Sequence, residues 1–310
     1  MRTLVTGGAG FIGSNLVHAL VARGDEVAII DDLCTGFREN LHSDATFFEG
    51  SVADHDLVTK AMDGVELVFH LAAHRAVFRS VQQPLATDTA NTHGTLTVLD
   101  AARAAKVSRV VYASSSSVYG GAAVVPTPET APLVPRSPYA VTKMAGEHYC
   151  RVFSELFGMD TVTARFFNVY GPRQRPDSMY AAVIPVFIDA LRRLEPPVVH
   201  GDGTQSRDFT FIADVIRALL AAASAPAEAC TGKAYNIACN AEYSLLDLLD
   251  VLGRLLEVDL EPTFTDPRPG DIHHSRAAVE AAARDLGFRA EVQFEDGLGR
   301  TVEWFLRQPA

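Results

Sequence analysis

The sequence predicts an α/β fold, a doubly wound parallel sheet with a smaller C-terminal α/β domain. Two features of the chain lead to this prediction. Apolar strands of the fully buried type alternate with helical stretches through the first half of the chain, as in parallel sheets covered by helices. At the start, an apolar run ending at Val5 passes through a Gly-rich turn, Thr6 to Gly13, into a helical apolar pattern that includes Leu16 and Leu20.

The remaining elements follow in order along the chain. Gly24 ends the first helix, and the apolar run Val27–Ile30 forms a second strand that leads into Asp31 and Asp32. Further strands are predicted at Thr46–Phe48, Leu67–Phe69, Arg109–Ala113 and Val162–Phe167, and helices at Leu96–Ala105, at about Ser137–Phe157 and over the leucines from Leu245 to Leu256. The leucines of the last helix are expected to lie in the core.

The length of 310 residues suits one α/β domain plus a second lobe. The composition becomes rich in proline and arginine after Tyr170-Gly171-Pro172, so we place the domain boundary there. Residues 1–170 are predicted to form the first domain and residues 171–310 the second. Phe209–Ile212 and Ala234–Ile237 are expected to return to the first sheet, so that about 208–238 rejoins the first domain.

Composition and charge exclude several classes of protein. The formal net charge of -11 argues against a nucleic-acid-binding surface, which needs a concentrated basic patch. Four cysteines without CxxC spacing indicate reduced thiols and a cytoplasmic protein. No apolar run is long enough to span a bilayer, and we expect no signal peptide, because the chain enters its first strand at once. His273 and His274 have no third ligand at a useful spacing, so we expect no metal site. Since no apolar run could span a bilayer, we also expect no membrane association.

The Gly-rich turn predicts a dinucleotide-binding site. Gly7 permits a tight turn, Gly10 lets a pyrophosphate approach the backbone, and Gly13 lets the helix pack on the strand. The N–H groups that open the helix would then face the phosphates. Asp31 and Asp32 stand where a carboxylate holds a ribose 2′-hydroxyl, and two carboxylates would repel a 2′-phosphate. We therefore expect NAD rather than NADP.

Polar residues follow the later strands, at the sheet edge where open α/β sheets bind ligands. The run from Ser114 to Gly120 follows one strand, and Tyr139 and Lys143 lie in the next helix. Their i, i+4 spacing places both side chains on one helix face, so the ammonium can lower the pKa of the phenol. Beside Lys143 and a positively charged nicotinamide, Tyr139 would become a usable general base.

At these residues the chain resembles the extended short-chain dehydrogenases/reductases of the nucleotide-sugar epimerase and dehydratase group, nearly from end to end. The motifs that carry the resemblance are TGGAGFIG at Thr6–Gly13, HLAA at His70–Ala73, Asn91 before Gly94 and Thr95, SSSSVYG at Ser114–Gly120, YxxxK at Tyr139, RFFNVYGP at Arg165–Pro172, RDF at Arg207 and RPGD at Arg268. The resemblance implies a Rossmann fold, NAD as cofactor, a UDP-sugar as substrate, and a homodimer whose helical bundle includes the Tyr139 helix.

The resemblance also implies roles for individual residues. Tyr139 is the base, Lys143 holds the nicotinamide ribose, Ser115 hydrogen-bonds the reacting sugar oxygen, and Ser116 and Ser117 complete the predicted catalytic set. The implied cofactor-binding residues are Gly7, Gly10, Phe11, Ile12, Asp31, Asp32, Ser51, Val52, Leu71, Ala72, Ala73, Arg75, Asn91, Ser114, Tyr139, Lys143 and Phe166. The implied substrate-binding residues are Val77, Ser115, Ser117, Asn168, Arg175, Val183, Arg207, Arg268, Asp271 and Ser275.

The expected reaction is epimerisation at C4 of the sugar. Dehydratases and decarboxylases of the group usually carry an Asp-Glu pair or a Glu where this chain has Ser116 and Ser117, and eliminating water needs an acid near the leaving hydroxyl. In an epimerase Tyr139 would take the C4 hydroxyl proton while hydride passes to NAD and then returns to the other face of the sugar. A dehydratase is one alternative, and a non-catalytic NAD-binding regulator on the same fold is another.

The substrate expected within this group is UDP-glucuronate, converted to UDP-galacturonate, with UDP-N-acetylglucosamine or UDP-glucose as the alternative. Gly171 to Met179 resembles the GPxxRPDM segment of UDP-glucuronate 4-epimerases, but it keeps Arg173 and Gln174 from the N-acetylhexosamine pattern. Arg175 is the first candidate to bind a C5 carboxylate through two parallel hydrogen bonds. Ser275 stands where relatives restricted to small sugars often carry a tyrosine, which leaves room for a bulky substituent.

Overall fold

The structure, a computed structural model, describes residues 1–75, 77–122, 124–175, 182–267 and 273–308. The strands in these ranges are β1 (Arg2–Thr6), β2 (Glu26–Asp31), β3 (Thr46–Glu49), β4 (Leu67–His70), β5 (Arg109–Ser115), β6 (Thr161–Phe166), β7 (Val169–Tyr170), β8 (Val198–His200), β9 (Ser206–Arg207), β10 (Thr210–Phe211), β11 (Lys233–Ile237), β12 (Tyr243–Ser244), β13 (Thr263–Thr265) and β14 (His274–Ser275). The α-helices are α1 (Phe11–Ala22), α2 (His55–Ala61), α3 (Val77–Gln82), α4 (Pro84–Asp88), α5 (Gly94–Ala104), α6 (Pro138–Phe157), α7 (Val183–Arg192), α8 (Ile212–Ser224), α9 (Ala227–Cys230), α10 (Leu245–Leu256), α11 (Glu280–Asp285) and α12 (Phe294–Leu306).

The main sheet has seven strands, all parallel, in the order β11-β6-β5-β4-β1-β2-β3. Strand order reverses at β1, which has β2 on one side and β4 on the other. Leu4 and Val5 of β1 and Ile29 and Ile30 of β2 are each 0% exposed, as required when helices cover both faces of a parallel sheet. This arrangement confirms the predicted doubly wound Rossmann fold.

Successive residues of the strands pack into two separate apolar clusters, one on each face of the sheet. Val5 joins a cluster that includes Leu16 of α1 and Leu219 of α8. Leu4 joins the other cluster, which includes Val98 of α5 and Phe153 of α6. The alternation follows from the pleat, because neighbouring strand residues point to opposite faces. Helix α6, which carries the YxxxK motif, is thereby fixed against one face of the sheet.

A buried ion pair also holds α6 on the sheet. Glu147 of α6 and Arg165 of β6 have side chains that are each 6% exposed, and the closest nitrogen–oxygen distance between them is 2.7 Å. The Arg165 Nε donates to both carboxylate oxygens of Glu147, at 3.0 and 3.1 Å. The remaining nitrogen, Nη1, donates to the Tyr119 hydroxyl at 2.7 Å and to Glu129 O at 3.0 Å. The two charges are therefore buried with their hydrogen-bonding capacity in use.

One predicted strand lies outside the main sheet. Ala234–Ile237 forms most of β11 and pairs with β6, as expected. Phe209–Ile212, by contrast, contributes Thr210–Phe211 to a two-stranded sheet with Val169–Tyr170, and α8 begins at Ile212. This part of the prediction was wrong because a short apolar run does not reveal which strand it pairs with.

Elements beyond residue 170 lie both on and away from the main sheet. Helix α8 packs beside β5, where Arg109 Nη1 donates to Ala222 O at 2.8 Å and to Ala225 O at 2.7 Å. The predicted helix over the leucines is α10, and its Leu248 and Leu252 are 0% exposed. The division at residue 170 remains a prediction.

Within the described ranges, none of the helices has the length and apolar character needed to cross a bilayer.

Candidate active site

A cleft of about 290 Å³ opens at the carboxyl ends of β1, β2, β4, β5 and β6, the edge where this type of sheet binds ligands. The predicted residues that line it are Gly7, Gly10, Phe11, Ile12, Asp31, Asp32, Ser51, Val52, Leu71, Ala72, Ala73, Arg75, Ser114, Ser115, Tyr139, Lys143, Phe166 and Asn168. These residues are distant in sequence, and the parallel strand ends bring them to one edge. Their individual roles in binding remain predictions.

The Gly-rich turn forms one wall of the cleft. Gly7 has a φ of +74°, and a Cβ there would stand 2.8 Å from Ala72 N. A Cβ on Gly13 would stand 2.1 Å from Gly7 O, so α1 packs this closely on the turn only without a side chain. No side chain caps the start of α1 at Gly10. The N–H groups of its first turn are therefore available to a phosphate group in the cleft.

The two aspartates that end β2 have different environments. Asp31 is 8% exposed, and its two carboxylate oxygens accept from Ala9 N and Leu33 N, both at 2.9 Å. Burial raises the pKa of Asp31. Asp32 is exposed and lines the cleft. Asp31 therefore fixes the Gly-rich turn through Ala9, while the carboxylate of Asp32 is exposed at the cleft.

Tyr139 lies in the first turn of α6, two residues after Ser137, whose side chain caps the helix. The Tyr139 side chain lies near Ser115 at the end of β5, and both residues line the cleft. Lys143 follows one turn later and is 3% exposed. Its Nζ donates to Ala113 O at 2.8 Å and lies 6.0 Å from the centroid of the Tyr139 ring.

The pKa of Tyr139 differs from the sequence-based expectation. Burial raises this pKa, while the neighbouring Ser115 side chain and the charge of Arg75 lower it by less. Lys143 is not among the groups that lower it, and its Nζ lies 6.0 Å from the centroid of the Tyr139 ring and donates to Ala113 O. The phenol therefore needs a further cation in the cleft before it can act as a base near neutral pH.

Ser116 and Ser117 do not line the cleft. They open a 3₁₀ turn, Ser116–Tyr119, in which Ser117 N donates to Ser115 Oγ at 3.2 Å. The Ser117 Oγ is buried without a hydrogen-bond partner among the described residues. The structure thus indicates that Ser117 orients the Ser115 hydroxyl through its backbone. Among the described residues that line the cleft, the carboxylates are those of Asp31 and Asp32. They follow β2 on one side of β1, whereas Ser115 ends β5 on the other side.

Asn91 and Val77, both predicted to bind ligands, also lie outside the cleft lining. Asn91 is 1% exposed in a π-helical turn before α5. Its Oδ1 accepts from His74 N at 2.7 Å, and its Nδ2 donates to Thr142 Oγ1 at 2.9 Å. Asn91 therefore braces the cleft wall against α6 from behind. Val77 begins α3 and is 49% exposed.

The predicted substrate residues are spread over elements that follow β6. Asn168 lines the cleft, and its Nδ2 donates to Asp208 O at 3.3 Å. Arg207 of β9 and Ser275 of β14 are register partners in the small three-stranded sheet, so the fold brings them together. Val183 begins α7 and does not line the cleft. Two further predicted residues, Arg268 and Asp271, lie outside the described residues.

Arg175 contacts the cofactor-side loop that follows β2. Its guanidinium carbon lies 3.8 Å from the centroid of the Phe37 ring, and its Nη2 pairs with the Glu39 carboxylate. Nearby, Pro172 O accepts from Asn15 Nδ2 of α1 at 3.1 Å. Arg175 therefore already has a carboxylate partner within the protein, which weakens the argument that it binds a sugar carboxylate.

Several lining residues were not identified from the sequence. They are Ile30, Cys34, Thr35, Gly50, His74, Ala90, Ala113 and Val169, while Gly13 was identified only for its packing role in the Gly-rich turn. Cys34 closely follows Asp32, and His74 directly follows the HLAA motif. Their closeness to recognised motifs was the signal that could have revealed them.

Comparison with known proteins assigns the fold and cleft to a family. Residues 3–238 match the NAD dependent epimerase/dehydratase family. The chain belongs to this family. It is 39% identical over 312 residues to UDP-glucose 4-epimerase of Mycolicibacterium smegmatis, covering 98% of each chain.

Two solved structures show the same similarity in three dimensions. UDP-glucose 4-epimerase of Thermotoga maritima with UDP-glucose superposes with a TM-score of 0.95, at 35% identity over 99% of each chain. UDP-N-acetylglucosamine 4-epimerase of Methanobrevibacter ruminantium, in complex with UDP-N-acetylmuramic acid, gives a TM-score of 0.93 at 38% identity over 98% of each chain. The match therefore extends through the C-terminal lobe as well as the sheet.

NAD is the cofactor of this family, and the cleft fits it. The space beside Gly7 and the first turn of α1 suits a pyrophosphate. Asp32 is placed to accept hydrogen bonds from a ribose at one end of the cleft, and Lys143 to hold a ribose at the other. The exposed carboxylate of Asp32 would repel a 2′-phosphate, in agreement with NAD rather than NADP.

Proposed function

We propose that this protein is an NAD-dependent UDP-sugar 4-epimerase. The observation that carries the proposal is that Tyr139 and Ser115 stand together at the cleft wall, with Lys143 one helical turn away. This arrangement suits proton transfer at a sugar hydroxyl held beside the cofactor. The similarity to UDP-glucose 4-epimerases over nearly the whole chain supports UDP as the nucleotide.

In the proposed reaction Tyr139 takes the proton from the C4 hydroxyl of the sugar and later returns it. Ser115 hydrogen-bonds the same oxygen, and its hydroxyl is held in place by Ser117 N. When bound, NAD supplies the acceptor and then the donor of the C4 hydride. Lys143 holds the nicotinamide ribose, and its position between β5 and Tyr139 keeps it out of bulk water.

The serines at positions 116 and 117 favour epimerisation over dehydration. Loss of water from the sugar needs a group that can protonate the leaving hydroxyl, and a serine is too weak an acid at neutral pH. The described carboxylates that line the cleft, Asp31 and Asp32, lie on the cofactor side of the Gly-rich turn. An epimerase requires no such acid, because the hydride returns to C4 and the proton returns to the oxygen on C4.

We expect the product to be the C4 epimer of the supplied UDP-sugar, formed without added NAD beyond that bound to the protein. The reason is that the hydride returns, so the cofactor ends unchanged. Incubation with a panel of UDP-sugars and NMR analysis of the products tests this expectation. A 4-keto-6-deoxy sugar or released carbon dioxide would instead identify a dehydratase or a decarboxylase, and a panel without any turnover would support a non-catalytic regulator.

Within this function, UDP-glucose is the substrate that we place first, and UDP-glucuronate becomes the second candidate. The segment Gly171 to Arg175 supported UDP-glucuronate because Arg175 could bind its carboxylate. The pairing of Arg175 with Glu39 and its stacking on Phe37 argue against that role. UDP-N-acetylglucosamine is the third sugar to test, because Ser275, which lies beside Arg207, is a small residue where relatives restricted to small sugars often carry a tyrosine.

Replacing Arg175 by alanine should therefore change the turnover of UDP-glucuronate and UDP-glucose alike. The side chains of Arg175 and Glu39 are 34% and 61% exposed, and such pairs contribute about 0–1 kcal/mol. The measurement is kcat/KM for both sugars in the wild type and the variant. Glu39→Gln is the matched control, because it breaks the same pair from the other side. A loss of about 1.5–3 kcal/mol confined to UDP-glucuronate in Arg175→Ala would restore that sugar as the substrate.

We also propose that the protein forms a homodimer through α6 and the neighbouring α3 and α4. Exposed apolar side chains occur on these helices, at Val141 (47%), Leu156 (71%), Val81 (60%) and Leu85 (82%). Such residues suit the centre of an interface between subunits. Sedimentation analysis should show a dimer that Leu85→Asp dissociates and that Leu246→Asp, on α10, leaves intact. A monomeric wild type would contradict the proposal.

A further inference from the structure

Three possible metal ligands converge at one end of the cleft. Asp32 and Cys34 follow β2, and His74 follows β4, so the three come from opposite sides of β1. One ligand atom from each lies within 4.8 Å of those of the other two. All three residues line the cleft. The proposed epimerisation uses neither Cys34 nor His74.

The chemistry of these donors selects a particular class of cation. A carboxylate, a thiolate and an imidazole together form a ligand set typical of zinc, which often has three protein ligands and one water. The thiolate and imidazole favour thiophilic cations over Mg²⁺ or Ca²⁺. Bonds of about 2.0–2.3 Å to a tetrahedral ion require ligand atoms roughly 3.5 Å apart. The observed ligand atoms lie within 4.8 Å of one another, so rotation of the exposed Asp32 and Cys34 side chains would have to close the remaining gap.

The backbone already holds the three residues in place. His74 N donates to Asn91 Oδ1 at 2.7 Å, and Asn91 Nδ2 donates to His74 O at 3.3 Å. Cys34 N donates to Asp32 Oδ1 at 3.0 Å. The Nδ1 of His74 is buried and has no hydrogen-bond partner among the described residues. A buried ring nitrogen without a partner is costly, and metal coordination of this imidazole would offset part of that cost.

We propose that Asp32, Cys34 and His74 bind Zn²⁺ or a similar thiophilic divalent cation, and that the bound cation excludes the dinucleotide. The exclusion follows because Asp32 cannot direct the same oxygens at a ribose and at a metal. Binding must also release the proton of the Cys34 thiol, because the thiolate is the form that coordinates a metal. The charge of Arg79 acts on both Cys34 and His74 and limits the affinity for a cation.

This arrangement makes the cation and NAD reciprocal inhibitors of each other's binding. If each site excludes the other ligand, a metal concentration of ten times its Kd raises the apparent Kd of NAD about elevenfold. The effect acts on cofactor binding and not on the sugar site. It therefore holds for any reaction that the NAD-loaded enzyme performs.

The test uses Co²⁺ as the probe, because a cobalt–thiolate bond absorbs light and Zn²⁺ does not. Co²⁺ is titrated into the full-length protein as purified, while thiolate-to-cobalt charge-transfer absorption and released NAD are both recorded. We expect the absorption to reach about one cobalt per chain, with NAD released in step, and Zn²⁺ to remove the absorption by displacing cobalt. Absence of the absorption at saturating cobalt, or its appearance while NAD stays bound, would overturn the proposal.

Variants then assign the ligands. Cys34→Ser should abolish the charge-transfer absorption, and His74→Gln should weaken cobalt binding by at least about tenfold. Cys239→Ser is the matched control, since Cys239 is partly buried in another part of the protein and should leave the titration unchanged. Absorption that persists in Cys34→Ser, or that disappears in Cys239→Ser, would assign the metal to a different thiol and refute the site.

Discussion

Replacing Tyr139 by phenylalanine should abolish turnover while NAD and the UDP-sugar bind nearly as well as before. The variant loses the hydroxyl that receives the substrate proton in the proposed reaction. The aromatic ring remains and still fills its place in the cleft wall. A positioned general base contributes about 10²–10⁴-fold, so kcat should fall within or beyond that range. Steady-state kinetics and binding titrations measure the two effects separately.

Tyr149→Phe is the matched control for this variant. Tyr149 lies on the same helix, is partly buried, and packs against the cluster beneath the sheet instead of lining the cleft. Loss of the Tyr149 hydroxyl should leave kcat within about twofold of the wild type, since this hydroxyl takes part in no proton transfer. If Tyr139→Phe retained more than about a hundredth of the wild-type rate, another group would have to be the base.

Replacing Arg165 by methionine should be the most destabilising of the single changes considered. The guanidinium is the partner of the buried Glu147 carboxylate, and it also donates to the Tyr119 hydroxyl and to Glu129 O. Removing one member of a buried pair leaves an uncompensated charge and costs about 3–5 kcal/mol. Denaturant unfolding of the wild type and the variant should show this loss as a lower midpoint with little change in slope.

Arg151→Met provides the comparison for an exposed ion pair on the same helix. The side chains of Arg151 and Glu155 are 55% and 65% exposed, and the distance between their charged atoms is 3.7 Å. Such a pair contributes about 0–1 kcal/mol, so this variant should unfold close to the wild type. Equal losses in Arg151→Met and Arg165→Met would mean that burial does not govern the energy of the Arg165 pair.

Local sequence patterns predicted the sheet, because its strands are short, apolar and buried on both faces. Val5 and Ile29 could be recognised as strand residues without knowing their neighbours, since a buried parallel strand is apolar throughout. Pairing between strands depends on long-range geometry. Thr210–Phe211 has the same apolar character as a main-sheet strand but pairs with Val169–Tyr170. Its place could not be predicted from periodicity alone.

Motifs located most of the cleft, but they did not reveal how its charges are used. Asp31 and Asp32 are adjacent, and the sequence gives no reason to assign them different roles. Their environments differ because the N–H groups of Ala9 and Leu33 donate to the carboxylate of Asp31. Arg175 has a motif that suggests a sugar ligand, and its partner Glu39 is far away in the chain. The pKa of Tyr139 depends on burial by the whole fold, which outweighs the lowering by Ser115 and Arg75. Sequence spacing records proximity along a helix, and it does not record desolvation.

The late strand β11 has a consequence for how the chain folds during synthesis. Until residue 237 has left the ribosome, β6 is an open edge strand with backbone groups that lack their β11 partners. Arg109 likewise lacks the carbonyl groups of Ala222 and Ala225. A nascent chain that stops near residue 170 therefore exposes an apolar edge to other nascent chains. Protection by a chaperone at this stage, followed by release once β11 and α8 have emerged, would match the order in which the sheet is completed.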